Sequence, residues 1–345
     1  MTTLVIPCAG QSTRFPNMRP KFLLTHPDGA LMVEKILQAE EHNKYDRVVV
    51  TITRAQEKHD ALLILQQLQH QYSFEVCLLD GPTKHEPETI MKTIEVMSIT
   101  GGIVVHDVDS YVVYQKPTKE ASFVVGVDMH ELPDPEVLNK SYIVLHNDTS
   151  IVKKVIERRV VSSIICTGVY GFASVDRFFQ TYIDCENLYL SNMISTVADL
   201  DRVHFIKCSE YEDWGTLARW NKYKKKHRTF FVDIDGVVVV NRGKYGKATW
   251  DAPPIVLEKN VQILQDLERN GAKIVFTTAR PQELKDVTET FLTTIGFKHP
   301  VVVYGCTHAE RILVNDFATS NPYPSCVAIP IPRDGNLWEY LDCND

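Results

Sequence analysis

The sequence predicts an α/β protein of two domains, and three observations carry that reading. Short apolar runs alternate with helix-spaced apolar residues from Leu4 to His106, the same alternation restarts at Thr229, and a basic run, Lys222–Arg228, separates the two. At 345 residues the chain exceeds a usual single domain, so each half can bury its own core. The boundary is placed between residues 226 and 227.

Leu4–Pro7 reads as a buried strand, followed by a small and polar loop that ends at Phe22–Leu24. A helical face at Leu31–Ala39, a strand at Arg47–Ile52, a helix near Gln56–Gln71, a strand at Phe74–Leu79, a helix near Glu88–Met97 and a strand at Gly102–His106 follow. Such alternation predicts a parallel, doubly wound sheet whose ligands sit beyond the carboxyl ends of the strands. From Ala121 the pattern turns β-rich, with pieces at Ser122–Val127, Tyr142–Leu145, Ile151–Ile156 and Ile164–Phe172, which suits an antiparallel extension over a substrate. Helices at Val175–Ile183 and Leu188–Val197 and a strand at Val203–Cys208 complete this half.

The second half opens on a strand at Thr229–Ile234. Leu257, Val261, Leu264 and Leu267 then recur at helical spacing. A strand at Lys273–Thr277, a helix near Gln282–Ile295 and strands at Val301–Tyr304 and Ile312–Val314 follow.

Composition narrows the function classes. A formal net charge of -7 argues against a general nucleic-acid binder, which needs surplus Lys and Arg to neutralise phosphates. The eight cysteines never form a Cys-x-x-Cys pair, so buried reduced thiols are expected rather than a zinc or redox motif. No signal-peptide pattern opens the chain and no apolar run reaches membrane-spanning length, so a soluble cytoplasmic protein without a membrane partner is expected.

Two stretches carry chemistry in the first half. In Gly10-Gln11-Ser12-Thr13-Arg14 the small residues let backbone N–H groups approach phosphate oxygens, and Arg14 and Lys21 add positive charge, although small residues after a strand also make ordinary turns. Past the strand at Gly102–His106 stand Asp107 and Asp109. Two carboxylates about 4 Å apart repel by roughly 4 kcal/mol at an effective dielectric of 20, so a divalent cation would hold them together. Magnesium suits, because it takes one or two carboxylates plus substrate phosphates. The plain alternative is a pair of solvated loop aspartates.

In the second half Asp233 and Asp235 stand one residue apart at the end of an apolar strand, so the period of two points both carboxylates to one side, and Gly236 lets the chain turn away. One carboxylate can attack phosphorus while its neighbour, if protonated, supplies a proton to the leaving oxygen.

The first-half motifs resemble those of the sugar-phosphate nucleotidyltransferases, which have a GT-A-like, Rossmann-like mixed sheet, over about residues 1–226. The resemblance rests on Ala9, Gly10, Thr13, Arg14, Pro20 and Lys21, on the strand-end acids, and on Asp213-Trp214-Gly215-Thr216. It implies that Arg14 and Lys21 stabilise phosphate charge, that Gly10, Ser12 and Thr13 line the nucleotide, and that Gly81 and Thr89 lie near the base. It further implies that Asp107 or Asp109 ligates magnesium together with Asp213. Ser12 departs from the family's usual glycine. Cys166–Phe172 resembles a segment lining the sugar pocket, although its aromatic residues equally suit a core, and His106 reads as strand-end packing.

The second-half motifs resemble those of the haloacid dehalogenase (HAD) phosphatases over about residues 228–345. Asp233 and Asp235 correspond to motif one, Thr278 within Val275–Pro281 to the phosphate-binding hydroxyl of motif two, and Asp316 to motif four. The resemblance implies a magnesium ion held by Asp233, Asp316 and the Asp235 carbonyl. Many relatives carry a motif-three lysine where this chain reads Cys306–Arg311, and Arg311 is the nearest cation. The short spacing between motifs one and two implies a small Rossmannoid fold without a large cap.

Together these resemblances imply a bifunctional enzyme with one magnesium ion per domain. Its partners would be a nucleoside triphosphate and a sugar or polyol phosphate, as in capsule precursor synthesis, and the oligomeric state stays open, a homo-oligomer included. Asp107-Val108-Asp109 also fits the DxD pattern of metal-dependent glycosyltransferases, although the cationic loop suits a triphosphate better. A binding or regulatory role for one domain is the third reading.

Overall fold

The computed structural model describes residues 1–134, 138–147, 149–184, 189–241, 250, 253–316 and 325–341. The chain divides into two compact units, Met1–Trp220 and Asn221–Asp345.

Unit one is built on β1 (Thr2–Pro7), β2 (Arg47–Thr53), β3 (Glu75–Leu79) and β4 (Gly102–His106). Leu4, Val5 and Ile6 are fully buried, as a strand covered on both faces requires. β1 pairs in parallel with β2 on one side and β4 on the other, and β2 pairs in parallel with β3. The mixed character enters with β9 (Ile164–Phe172), antiparallel to β4 and to β6 (Ser122–Asp128). β10 (Val203–Lys207) runs parallel to β6, and β7 (Ser141–Leu145) pairs with β8 (Val152–Glu157) and with β9. Helices α1 (Met32–Glu40), α3 (Glu86–Val96), α4 (Val175–Asp184) and α5 (Leu190–Leu200) complete the frame. One core cluster joins Val5, Val49, Ile90, Val105, Val124, Tyr170, Phe172, Phe178 and Ile194 across it.

Two local features differ from the sequence reading. The helix expected over Gln56–Gln71 is split into a 3-10 turn, Arg54–His59, and α2 (Ala61–Leu68), because Asp60 adopts a left-handed backbone at φ 56°. The second difference is an antiparallel pair, β5 (Ser110–Val113) with β11 (Glu210–Asp213), that no periodicity announced. Each strand has four residues, and Glu210-Tyr211-Glu212-Asp213 reads as a charged loop until its distant partner supplies the ladder. Cys8, Cys77, Cys166 and Cys208 are the buried free thiols expected, but Cys306 is half-buried and Cys326 exposed, and Cys185, Leu188 and Cys343 lie outside the described residues.

Unit two carries β12 (Thr229–Asp233), β13 (Lys273–Thr277) and β14 (Val301–Val303) as a parallel sheet in that order. Val261 and Leu264 of α7 (Glu258–Arg269) and Leu292 of α8 (Lys285–Thr294) pack with Val232, Ile234, Phe276 and Phe297. The strand expected at Ile312–Val314 does not form: the three side chains are 78%, 51% and 88% exposed, and no ladder pairs them. Apolar composition makes a strand only where a neighbouring strand pairs and packs with it, and no ladder partner stands beside this triplet among the described residues. Among the described residues no helix is long and apolar enough to cross a membrane.

Candidate active site

The first constellation gathers where β1 and β4 end. β1 runs into a loop whose shape is fixed by its own backbone and by Gln56. Ser12 holds a positive φ of 51°, a conformation glycine adopts freely, so the serine in the family's glycine position keeps the turn. Its Oγ accepts the Lys21 N–H at 3.0 Å and ties the start of the loop to its end. Buried Gln56 donates from Nε2 to the carbonyls of Cys8 (2.7 Å) and Gly10 (3.3 Å), while its Oε1 accepts the Thr53 N–H. Gly10 has open space where a Cβ would stand, and Thr13 is exposed.

Lys21 Nζ donates to Asp109 Oδ2 at 2.7 Å, and Arg14 Nη2 reaches the same oxygen at 3.1 Å. Asp109 is 6% exposed. Burial alone would raise its pKa, but the Lys21 and Arg14 charges prevail and hold the carboxyl at about 2. Asp109 also accepts the Trp214 N–H on its backbone carbonyl, which brings in the end of β11. Asp213 Oδ1, Arg14 Nη1 and Asp109 Oδ2 all lie within 3.4 Å of where a Cβ on Gly215 would stand. Arg14, Lys21, Asp109 and Asp213 therefore meet at one place.

Asp107 faces a different neighbour. Burial, followed by the adjacent Glu86 carboxyl, pushes its pKa well above the usual carboxylate range. Its buried Oδ1 has no hydrogen-bond partner. Gly168 makes room for it: its φ is +90°, its carbonyl accepts the Asp107 N–H at 2.8 Å, and a Cβ there would stand 2.9 Å from Asp107 Oδ2. The rest of Cys166–Phe172 belongs to the interior, with Tyr170 and Phe172 in the main core cluster. Thr89 is buried and its hydroxyl bonds that of Thr83 at 2.6 Å, while Gly81 is half-buried.

His106 does more than pack. It is fully buried, its Nδ1 bonds Glu40 Oε1 at 2.6 Å, and its Nε2 bonds the Ser110 carbonyl at 2.9 Å, so the ring bridges the loop that carries Asp107 and Asp109. Burial acts to raise the Glu40 pKa, but His106, Asn43 and Tyr45 hold it below its usual range.

Several residues of this site escaped the sequence reading. Lys140 bonds Asp213 Oδ2 at 2.7 Å and Tyr211 at 2.8 Å, and no motif surrounds it. Glu86 was hidden in a segment read only for its base contacts. Gln56 did leave a trace, since Thr53-x-x-Gln56 is a capping box.

The second constellation lies at the end of β12. Arg311 Nη2 donates to Asp233 Oδ1 at 3.3 Å. Burial raises the Asp233 pKa, and Arg311 opposes that shift. Asp235 is gripped by Arg280, whose Nε and Nη2 donate to its two carboxylate oxygens at 3.0 and 2.7 Å, and the Thr278 hydroxyl stands 3.4 Å away. In this arrangement Asp235 is an acceptor at both oxygens. Gly236 turns the chain with φ +108°, and its carbonyl accepts the Asp334 N–H. Asp316 is exposed and bonds Asn315 and Ser325. Arg280 stood inside the expected motif two, but only its threonine was singled out.

No group of three His, Cys, Asp or Glu side chains that could hold a metal is present among the described residues. Asp109 and Asp213 are instead matched with Lys21, Arg14 and Lys140.

No family model matches the chain, and no curated protein does. Solved structures do. Unit one has the fold of the nucleotide-sugar pyrophosphorylases. A nucleoside-diphosphate-sugar pyrophosphorylase from Vibrio cholerae RC9 aligns with a TM-score of 0.53 at 17% identity, covering 64% of this chain and 98% of that one. A UDP-glucose pyrophosphorylase complexed with UDP-glucose aligns at 0.50 and 16% identity, covering 66% and 100%. The inositol-1-phosphate CTP transferase from T. maritima aligns at 0.50 and 13% identity, covering 64% and 93%. The shared part is the N-terminal portion of this chain.

Proposed function

We propose that unit one transfers a nucleotidyl group from a nucleoside triphosphate to a sugar or polyol phosphate and releases pyrophosphate. The observation that carries this reading is the meeting of Arg14, Lys21, Asp109 and Asp213 at the strand ends of a pyrophosphorylase-type fold. In the reaction a phosphate oxygen of the sugar phosphate attacks the α-phosphorus, and the bond to the β-phosphate oxygen breaks. No covalent enzyme intermediate is required, so orientation and charge stabilisation supply the catalysis. Arg14 and Lys21 bear on the triphosphate, and the open side of Gly10 admits it.

A magnesium ion takes one or two carboxylates beside substrate phosphates, so a set of three acids is not required here. All donors are hard carboxylate oxygens, and the partnerless buried Oδ1 of Asp107 is the kind of atom a cation satisfies. Asp107 and Asp213 would hold it, with Asp109 kept on the lysine and arginine. When bound, the ion would neutralise charge on the phosphates.

The test is pyrophosphate release across a panel of nucleoside triphosphates and sugar phosphates. Release with one pair, lost in Lys21→Ala, supports the reading, and silence across the panel sinks it.

For unit two we propose a HAD-type phosphomonoester site, favoured by the convergence of Asp233, Asp235, Thr278 and Arg311. Asp233 would attack phosphorus, the alcohol would leave with a proton, and water would release phosphate from the aspartyl ester. Proton delivery by Asp235 requires Arg280 to release one carboxylate oxygen first. Asp316 is exposed and bonds Asn315 and Ser325 rather than Asp233, so magnesium is given no step here. Hydrolysis of a generic phosphomonoester that vanishes in Asp233→Asn supports this reading, whereas binding without turnover makes unit two a sensor.

A further inference from the structure

Lys140 is the cation of unit one that neither the phosphate loop nor any motif explains. It precedes β7, and its carbonyl accepts the Arg158 N–H at 2.9 Å, which fixes the backbone beneath it. Its side chain is 16% exposed and that of Asp213 is 14%, so the pair is largely withdrawn from water. Nζ lies 2.7 Å from Asp213 Oδ2 and 2.8 Å from the Tyr211 hydroxyl, and stands 5.5 Å from the centroid of the Tyr211 ring. The other Asp213 oxygen, Oδ1, accepts the Gly215 N–H at 2.8 Å. Both carboxylate oxygens are therefore committed in the free chain.

We infer that Lys140 is an internal counter-ion that competes with a divalent cation for Asp213. The inference rests on the assignment of Asp213 as a metal ligand in the transferase reading. A carboxylate bonded to a buried ammonium at 2.7 Å can join a cation only if the lysine moves off or its charge repels the newcomer, and either cost weakens metal binding. Arg14 and Lys21 guard Asp109 in the same way. The free chain thus holds Asp109 and Asp213 on cations, and removing the Lys140 charge frees Asp213.

The test is direct binding of Mn2+ alone, followed by electron paramagnetic resonance, without nucleotide or turnover. Lys140→Met is expected to bind Mn2+ at least about tenfold more tightly than wild type. Lys140→Arg is expected to match wild type, and adding Asp213→Asn to Lys140→Met is expected to erase the gain. Lys140→Gln, which removes the charge but keeps a donor for Asp213, is measured alongside and gives the same reading should the methionine variant fail to fold. Equal affinity in wild type and the charge-removed variants overturns the inference, as does a gain that survives Asp213→Asn. If pyrophosphate release is absent for every substrate pair but the Asp213-dependent gain appears, the transferase reading fails and Lys140 keeps its role. If release occurs and the gain does not, the reverse holds.

Discussion

The strand-end acids of unit one and of unit two are held by cations in different geometries, and the difference decides which acids must give up a partner before they can act. In unit one Asp109 takes Arg14 from the loop and Lys21 from the 3-10 turn, and Asp213 takes Lys140 from the residue before β7, so the two acids do not share a cation. In unit two a single guanidinium takes both oxygens of Asp235, and Arg311 touches Asp233 at 3.3 Å from a segment with no regular structure. Both contacts are charge-assisted, but Asp235 takes two bonds at 3.0 and 2.7 Å where Asp233 takes one at 3.3 Å, so Asp235 is the more firmly held of the two acids.

The sharpest break between the two regions is Asp233→Asn. It is expected to bring phosphomonoester hydrolysis to background while leaving pyrophosphate release at the wild-type rate, measured side by side on one preparation. Loss of both activities would mean that the sites are not independent.

Lys21→Ala is the mirror experiment. With the 2.7 Å bond to Asp109 and the charge on the triphosphate both gone, kcat/KM for pyrophosphate release is expected to fall about a thousandfold, with hydrolysis unchanged.

The buried Glu40 pair gives a stability prediction with a defined sign. A carboxyl whose folded pKa is depressed contributes stability above its ordinary value of 4.5 and loses it as pH falls through the lower folded value. Glu40→Gln is therefore expected to cost about 3 kcal/mol in urea unfolding at neutral pH, with a difference that shrinks below pH 4.5. A pH-independent difference would show that the charge is not what matters there.

The smallest effect belongs to Gln56→Ala. Losing the clamp on the Cys8 and Gly10 carbonyls is expected to cost about 1–2 kcal/mol and to raise KM for the triphosphate more than it lowers kcat. A change in kcat alone would place Gln56 elsewhere in the mechanism.

What the sequence revealed follows the range of the forces involved. β1, β4 and β9 were legible because strands buried on both faces are apolar throughout. Arg14 and Lys21 were legible in the small-residue loop after β1, Asp109 as an acid past the end of β4, and Asp213 through the Asp213-Trp214-Gly215-Thr216 segment. Lys140 and the β5 and β11 pair were not, because each depends on residues about 70 to 100 positions away, as the Tyr211 bond to Lys140 and the Ser110 register with Asp213 show. Ile312–Val314 failed in the opposite direction. Its composition reads as a strand, but a strand needs a partner and a covered face.

Which phosphorus is attacked separates nucleotidyl transfer from every other fate of the triphosphate. The direct measurement follows a nucleoside triphosphate labelled at the α-phosphorus, incubated with each sugar phosphate and the wild-type chain, and identifies labelled products by mass. The label is expected in a nucleoside-diphosphate sugar or polyol, with unlabelled pyrophosphate in equal amount. Label that stays in the triphosphate, or appears as free nucleotide without a sugar adduct, would contradict it.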